Sequence, residues 1–179
     1  KQIKIEDLAT PETRLQLLEL TIDKHAAAGY IYIGMDHFAL PDDELVLAQE
    51  SGTMYRNFQG YSTRGYCDLV GLGVSSIGKV GDHYIQNLKT LPEYYGAIDR
   101  GELPVHRGYT MTRDDVIRRD VIQQIMCYGV LDFDATAKRH DIDFRRYFAS
   151  ELVALEPMVA DGLAEFAEPG LRVLPAGRL

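Results

Sequence analysis

The first third of the chain passes from a helical spacing of apolar residues to a short run of strand-forming residues. Thr10 and Pro11 are typical of a helix start, with a hydroxyl at the N-cap and proline at the first helical position. Apolar side chains then recur every three to four positions as far as Ala28, and Gly29 supplies the stop. Residues 30–35 are rich in Tyr and Ile and predict a buried strand. Helix, tight turn and strand in this order predict an α/β fold.

Four further segments extend this pattern to about residue 110. Residues 41–51 and 92–101 predict helices, each with a proline at or near its start. Residues 55–61 alternate aromatic and polar side chains and predict a strand and turn, and residues 67–74 predict a last buried strand that runs into a glycine-rich loop. We therefore interpret residues 1–110 as the last βα units of an incomplete (β/α) barrel.

The composition changes near Thr110, and a mainly helical segment follows. A helix begins at Thr112, and a second helix is predicted from Phe144 to about Val159, with Phe148, Leu152, Leu155 and Met158 facing inward. Residues 162–175 then predict a β-hairpin around a Glu-Pro-Gly turn. Helices followed by a hairpin predict a winged-helix-like domain over residues 111–179.

Composition excludes some classes of function. The formal net charge of −8 argues against a general nucleic-acid binder, which needs basic clusters to neutralise phosphates. No apolar run approaches a membrane span, and no apolar leader follows Lys1. The two cysteines, Cys67 and Cys127, have no metal-ligand spacing and are typical of reduced thiols in a cytoplasmic protein. We therefore expect no metal site built from this chain's own residues, and no nucleic-acid or membrane partner.

Three groups of residues could carry chemistry. Residues 73–80 nearly spell a phosphate-binding loop, but Val80 stands where Ser or Thr should bind magnesium, which argues against nucleotide binding. Asp36-His37 directly follows a predicted strand, so it is equally an acid–base pair at the active edge or a pair that satisfies loop backbone groups. Arginines could grip carboxylates; Arg107 is more typical of the surface, and Arg118-Arg119 of a solvated helix face.

A series of blocks in one order resembles the oxygen-independent coproporphyrinogen III oxidases of the radical-SAM family. The resemblance covers nearly the whole chain and depends on several motifs rather than one. The blocks are Tyr-Ile-Gly-Met-Asp-His-Phe-Ala at 32–39, Pro-Asp-Asp-Glu-Leu at 41–45, Arg-Asn-Phe-Gln-Gly-Tyr at 56–61, Gly-Leu-Gly-Val-Ser at 71–75, and Thr-Arg-Asp-Asp with Arg-Arg-Asp at 112–120.

The resemblance implies a function and a set of cofactors. The family decarboxylates two propionates of coproporphyrinogen III to vinyl groups, giving protoporphyrinogen IX in haem biosynthesis, with a [4Fe-4S] cluster and S-adenosylmethionine. The three-cysteine cluster motif is absent here, so the resemblance predicts a C-terminal fragment, inactive alone, of a parent that we expect to be monomeric. Carried over by position, Phe58, Gln59 and Ile77 would lie near S-adenosylmethionine. That Arg56 grips a substrate propionate is our own hypothesis, and no catalytic residue is assigned.

Two alternatives remain open from the sequence. The chain could derive from a haem-binding or haem-chaperone relative, which carries haem rather than converting a substrate. It could also be a winged-helix interaction module beside an idle half-barrel, although the net acidity lowers the expectation of DNA binding.

Overall fold

The computed structural model describes residues 4–178, which form a mixed arrangement of helices and small antiparallel sheets. All strand pairs in this range are antiparallel. Up to residue 110 the elements are α1 (Pro11–Ala27), β1 (Ile31–Gly34), β2 (His37–Ala39), α2 (Glu44–Glu50), β3 (Tyr55–Asn57), β4 (Gly60–Ser62), β5 (Ile77–Val80), β6 (His83–Asn87), α3 (Leu91–Asp99) and β7 (Val105–Thr110). From residue 111 they are α4 (Arg113–Tyr128), β8 (Val130–Asp132), α5 (Phe133–His140), α6 (Phe144–Tyr147), α7 (Ala149–Ala160), β9 (Ala164–Ala167) and β10 (Gly170–Val173).

Helix α1 begins and ends where the sequence predicts. The Thr10 hydroxyl accepts a hydrogen bond from the backbone N–H of Thr13 at 3.2 Å, which satisfies one of the free amides of the first turn. The helix ends at Ala27, and Gly29 follows with φ of +88°. None of its residues is buried. Its leucines therefore present an apolar face to the outside of the described region.

The segment around Asp36-His37 is a hairpin turn and not the end of a strand that leads into a helix. Strand β1 is confirmed, but the chain reverses immediately and β2 pairs with it. Met35 takes the left-handed conformation, with φ of 55°, to close the turn. A second hairpin, β3–β4, confirms the strand and turn predicted over residues 55–61.

The prediction of a buried strand over residues 67–74 is wrong. The segment makes only one bridge to the neighbouring sheet, between Leu69 and Lys79. Val70 and Leu72 are 71% and 83% exposed, and the alternating glycines weaken any strand tendency. Residues 77–80, which include the lysine of the apparent phosphate loop, form β5 of the sheet β5–β6–β7. No helix follows them, so they do not form a phosphate-binding loop.

The second half contains more elements than the sequence predicts. Helix α4 starts at the predicted cap, and Gly129 ends it in the left-handed conformation. Strand β8 and helix α5 were not predicted, because their apolar residues are few and closely spaced. The helix predicted from 144 to about 159 is divided into α6 and α7 at Phe148, and Met158 is half exposed rather than inward. The predicted hairpin is confirmed as β9–β10, with β8 on the other side of β10.

Two cores hold the chain together, and α4 contributes to both. The larger consists of residues from Ile117 to Leu171, with Phe133, Phe144 and Phe148 stacked at its centre. The smaller joins residues 33–54 to Cys127, which has no exposed surface. The end of α4 is therefore an internal support for the first two hairpins.

Candidate functional site

A cavity of about 820 Å³ lies among the β3–β4 hairpin, the sheet β5–β6–β7 and helix α4. Its walls combine aromatic rings, such as Tyr55 and Tyr84, with aliphatic side chains. The volume is within the range that protein pockets offer to small molecules, roughly 300–1,000 Å³.

The residues that line the cavity include more cationic than acidic side chains, although the chain as a whole is acidic. Two carboxylates line it, those of Asp68 and Asp115. Against them stand five positively charged side chains, namely Arg56, Arg64, Lys79, Arg118 and Arg119. A net charge of −8 over the chain thus coexists with a local excess of positive charge in one concave site. Such a site attracts anions.

The cations of α4 differ in how completely they are neutralised. Arg118 donates to Asp114 at 2.8 Å and to Glu151 at 2.6 Å. Hydrogen bonding by Arg118 lowers the pKa of Glu151 to about 2. Arg119, in contrast, lies 3.9 Å from the nearest oxygen of Asp82. The sequence-based interpretation of Arg118-Arg119 as a solvated helix face fits Arg118, whose side chain is 41% exposed, but not Arg119, whose side chain is 22% exposed. Both residues line the cavity.

Arg56 is fixed by its backbone to α4. Its N–H donates to Gln123 Oε1 at 2.8 Å, and its carbonyl accepts from Gln123 Nε2 at 2.7 Å. The guanidinium lies over the ring of Tyr61, with 5.6 Å from its carbon to the ring centroid. Its Nε is buried and has no hydrogen-bond partner within residues 4–178. Arg56 is thus one of the residues that line the cavity, and its role as a clamp for a carboxylate stays a prediction.

Phe58, Gln59 and Ile77 meet where the β3–β4 hairpin contacts β5. Gln59 Nε2 donates to the carbonyl of Ile77 at 3.0 Å, which joins the hairpin tip to the strand. Phe58 is 67% exposed and packs edge-on against Tyr84. Phe58 and Ile77 line both the main cavity and an adjoining one of about 370 Å³. The three predicted residues are therefore neighbours, with apolar groups toward the cavities and the amide toward the backbone.

Neither cysteine is placed as a cluster ligand. Cys67 is exposed at the rim of the main cavity, whereas Cys127 is fully buried in the smaller core. Burial raises the pKa of the Cys127 thiol to about 11, so it stays protonated at neutral pH. Between residues 4 and 178 no group of three or more His, Cys, Asp or Glu side chains is arranged to hold a metal ion.

Asp36 and His37 lie outside both cavities. The Nδ1 of His37 is 2.9 Å from a carboxylate oxygen of Asp36. The side chain of Asp36 is largely exposed. The ring of His37 packs against Tyr61, and a Cβ at Gly60 would lie 2.9 Å from its Nε2. His37 therefore packs between two hairpins, and neither residue of the pair lines the cavities.

Comparison with known proteins shows similarity over the whole length of this chain. Residues 111–179 match the family model described as the HemN C-terminal domain. The whole chain is 49% identical to the oxygen-independent coproporphyrinogen III oxidase of Pseudomonas aeruginosa and 47% identical to that of Escherichia coli. The chain is thus similar over its whole length to part of the oxygen-independent coproporphyrinogen III oxidases. It spans 39% of the length of each of these two relatives.

A solved structure supports the same relationship. The coproporphyrinogen III oxidase HemN from Escherichia coli, described as a radical SAM enzyme, superposes with a TM-score of 0.91 at 47% identity. The match covers 99% of this chain and 41% of that one. The family resemblance and the mixed α/β fold predicted from the sequence are thus confirmed, whereas the barrel and winged-helix descriptions stay predictions. No helix within residues 4–178 has both the length and the apolar character needed to cross a membrane.

The sequence missed the contribution of α4 to the site. Arg119, Gln123 and Met126 are spaced by four and three residues, so they share one face of the helix. All three line the cavity. A helix face that packs in a core is normally apolar, and one that faces solvent is normally polar. The combination of a cationic, an amide and a thioether side chain on one face fits neither and could have indicated a site.

Proposed function

We propose that this chain is the C-terminal part of an oxygen-independent coproporphyrinogen III oxidase, which decarboxylates two propionates of coproporphyrinogen III to vinyl groups and yields protoporphyrinogen IX in haem biosynthesis. The observation that carries the proposal is similarity from end to end to enzymes of that name, at 47–49% identity. We further propose that residues 1–110 are the last βα units of a partial barrel, that residues 111–179 are a winged-helix-like domain, and that the enzyme is a cytoplasmic monomer.

The chemistry of the cavity supports this substrate. Coproporphyrinogen III carries four propionates on a broad, largely apolar ring system. Its charges suit the cationic side chains of the walls, and its pyrrole rings suit the aromatic and aliphatic ones. We propose that the guanidinium fork of Arg56, a residue of the cavity wall, holds one propionate through two parallel hydrogen bonds.

The thiols of this chain do not suit the cluster that the family implies. One is buried in a core and the other stands alone at the rim, so we propose that the [4Fe-4S] ligands lie in another part of the enzyme. Phe58 and Ile77 suit an organic cofactor better, because they offer an aromatic surface and an aliphatic wall at one place, and Gln59 holds the hairpin tip against Ile77 through its amide. We propose that these three face S-adenosylmethionine, with Ile77 against a second molecule of it.

When bound, the cofactors supply the radical that removes a hydrogen atom from a propionate. This chain would contribute the wall that orients the substrate and excludes water. Because the cluster ligands lie elsewhere in this proposal, we expect residues 1–179 alone to be inactive.

Anaerobic turnover of the enzyme that contains this chain tests the proposal. With cluster, S-adenosylmethionine and reductant present, coproporphyrinogen III should be converted to protoporphyrinogen IX. Two molecules of CO2 should be released per molecule of coproporphyrinogen III, as expected for two decarboxylations. Arg56→Ala should raise KM more than it lowers kcat, whereas Arg172→Ala, on the surface of β10, should change neither. Stable haem binding by the wild-type enzyme without any decarboxylation would contradict the proposal and favour the haem-carrier alternative.

A further inference from the structure

The guanidinium of Arg119 is largely withdrawn from water but lacks a hydrogen-bonded carboxylate. Its side chain is 22% exposed, and its nearest carboxylate within residues 4–178 is that of Asp82, at 3.9 Å. Its hydrogen-bond partner is the sulfur of Met111, at 3.3 Å, and thioether sulfur is a weak acceptor. Charges removed from water are normally paired, since desolvation without a partner is costly. The charge of Arg119 is thus open to an anion from the cavity.

The neighbouring Arg118 differs from Arg119 because its guanidinium is paired with carboxylates. It is one residue away on α4 and lines the same cavity, but two carboxylates at 2.8 and 2.6 Å neutralise it. Asp114 and Glu151 are thus engaged with Arg118. Arg118 is therefore a structural arginine, whereas no carboxylate within residues 4–178 lies within hydrogen-bond distance of Arg119.

The position of Arg119 is fixed relative to Arg56. Gln123 follows Arg119 by one helical turn, on the same face of α4. The amide of Gln123 holds the backbone of Arg56 through two hydrogen bonds. One helix therefore carries Arg119 and also anchors the backbone of the strand that carries Arg56, so both arginines are attached to the same helical face beside the cavity.

We infer that Arg119 is a carboxylate-binding residue of the cavity and the second anchor, beside Arg56, for two carboxylates of one tetrapyrrole. This inference rests on the proposed function, which supplies the class of ligand. Two anchors on separate elements bind and orient the ring together, whereas one anchor would leave it free to rotate about a single contact.

Titration with coproporphyrin III, the stable oxidised form of the substrate, tests the inference without requiring turnover. Binding to the enzyme that contains this chain is followed by porphyrin fluorescence. Arg119→Ala and Arg119→Gln should each weaken binding by about 10- to 100-fold, as expected for the loss of a hydrogen bond between charged groups. Arg119→Lys should restore part of the affinity. The tetramethyl ester of coproporphyrin III, which lacks the carboxylate charges, should bind wild type and variants with equal affinity. Both porphyrins are titrated in one buffer that contains detergent.

Asp82→Asn is the control that separates ligand binding from an internal ion pair. If Arg119 binds ligand, this change leaves affinity for coproporphyrin III unchanged or slightly improved. A loss as large as that of Arg119→Ala would overturn the inference, because it would show that the pair with Asp82 is what matters. Wild-type affinity in both Arg119→Ala and Arg119→Gln would overturn it as well, while leaving the proposed function intact. Failure of the wild-type enzyme to bind coproporphyrin III or convert the substrate would contradict the proposed function and this inference together.

Discussion

The two halves of the molecule differ in what their buried residues do. From residue 111 onward, helices and a three-stranded sheet close around a large aromatic and aliphatic core of their own. Up to residue 110, separate hairpins share a smaller core that includes Cys127 at the end of α4, and no residue of α1 is buried. The comparison teaches that residues from 111 onward contain the larger core, while the cavity is formed where the hairpins and the sheet of the first half meet α4.

The largest expected effect is a contrast between two leucines. Leu171 is 3% exposed in β10, whereas Leu20 is 51% exposed on α1. Leu171→Ala should lower the free energy of unfolding by about 2–5 kcal/mol, because it leaves a cavity in the larger core. Leu20→Ala should change it by about 0.5 kcal/mol or less. Urea unfolding of both variants checks the pair, and equal losses would contradict the placement of the larger core in the second half.

An intermediate effect is expected at the link between the halves. Gln123→Ala removes two hydrogen bonds to the backbone of Arg56 and should cost about 1–3 kcal/mol of unfolding free energy. Hydrogen exchange should accelerate at the amide of Arg56 in particular, since that N–H loses its acceptor. Gln16→Ala, at an exposed position on α1, is the matched control and should leave both quantities unchanged. Unaltered protection at Arg56 would show that the hairpin does not depend on α4.

The smallest effect is the pH dependence of an ion pair within the second half. Because Arg118 holds the pKa of Glu151 at about 2, below its ordinary value of 4.5, the stabilisation is fully present above pH 4.5 and is lost as the pH falls toward 2. Glu151→Gln should therefore lower Tm slightly at pH 7, and the difference from wild type should vanish near pH 2. Glu156→Gln, also on α7, should show no such difference. A gap that stays constant from pH 7 to pH 2 would contradict the pairing.

The sequence predicted those elements whose signals are local. Thr10 and Thr112 indicate helix starts through their own hydroxyls, and the Glu-Pro-Gly turn before β10 indicates a hairpin, so these boundaries are confirmed. The break at Phe148 could not be predicted in this way. The ring of Phe148 lies tilted against that of Phe144 within the larger core, and such a tertiary contact leaves no local signal in the sequence.

The same distinction holds for the site. Phe58 and Ile77 were identified by their position in a chain that resembles a known family, and Arg56 by the carboxylate-binding chemistry of its side chain; all three line one cavity. Arg119 and Gln123 were missed because their roles arise only when α4 packs against β3. A helical spacing alone cannot show which face meets a cavity instead of solvent or core.

Hydrogen exchange of the enzyme that contains this chain, with and without coproporphyrin III, tests the central claim most directly. If the cavity among the β3–β4 hairpin, the sheet β5–β6–β7 and α4 holds the tetrapyrrole, protection on binding should appear in peptides covering residues 55–62, 77–84 and 109–126. Peptides covering residues 133–175 should be unchanged, because they belong to the larger core. Protection confined to residues 133–175, at ligand concentrations that saturate binding, would contradict the account.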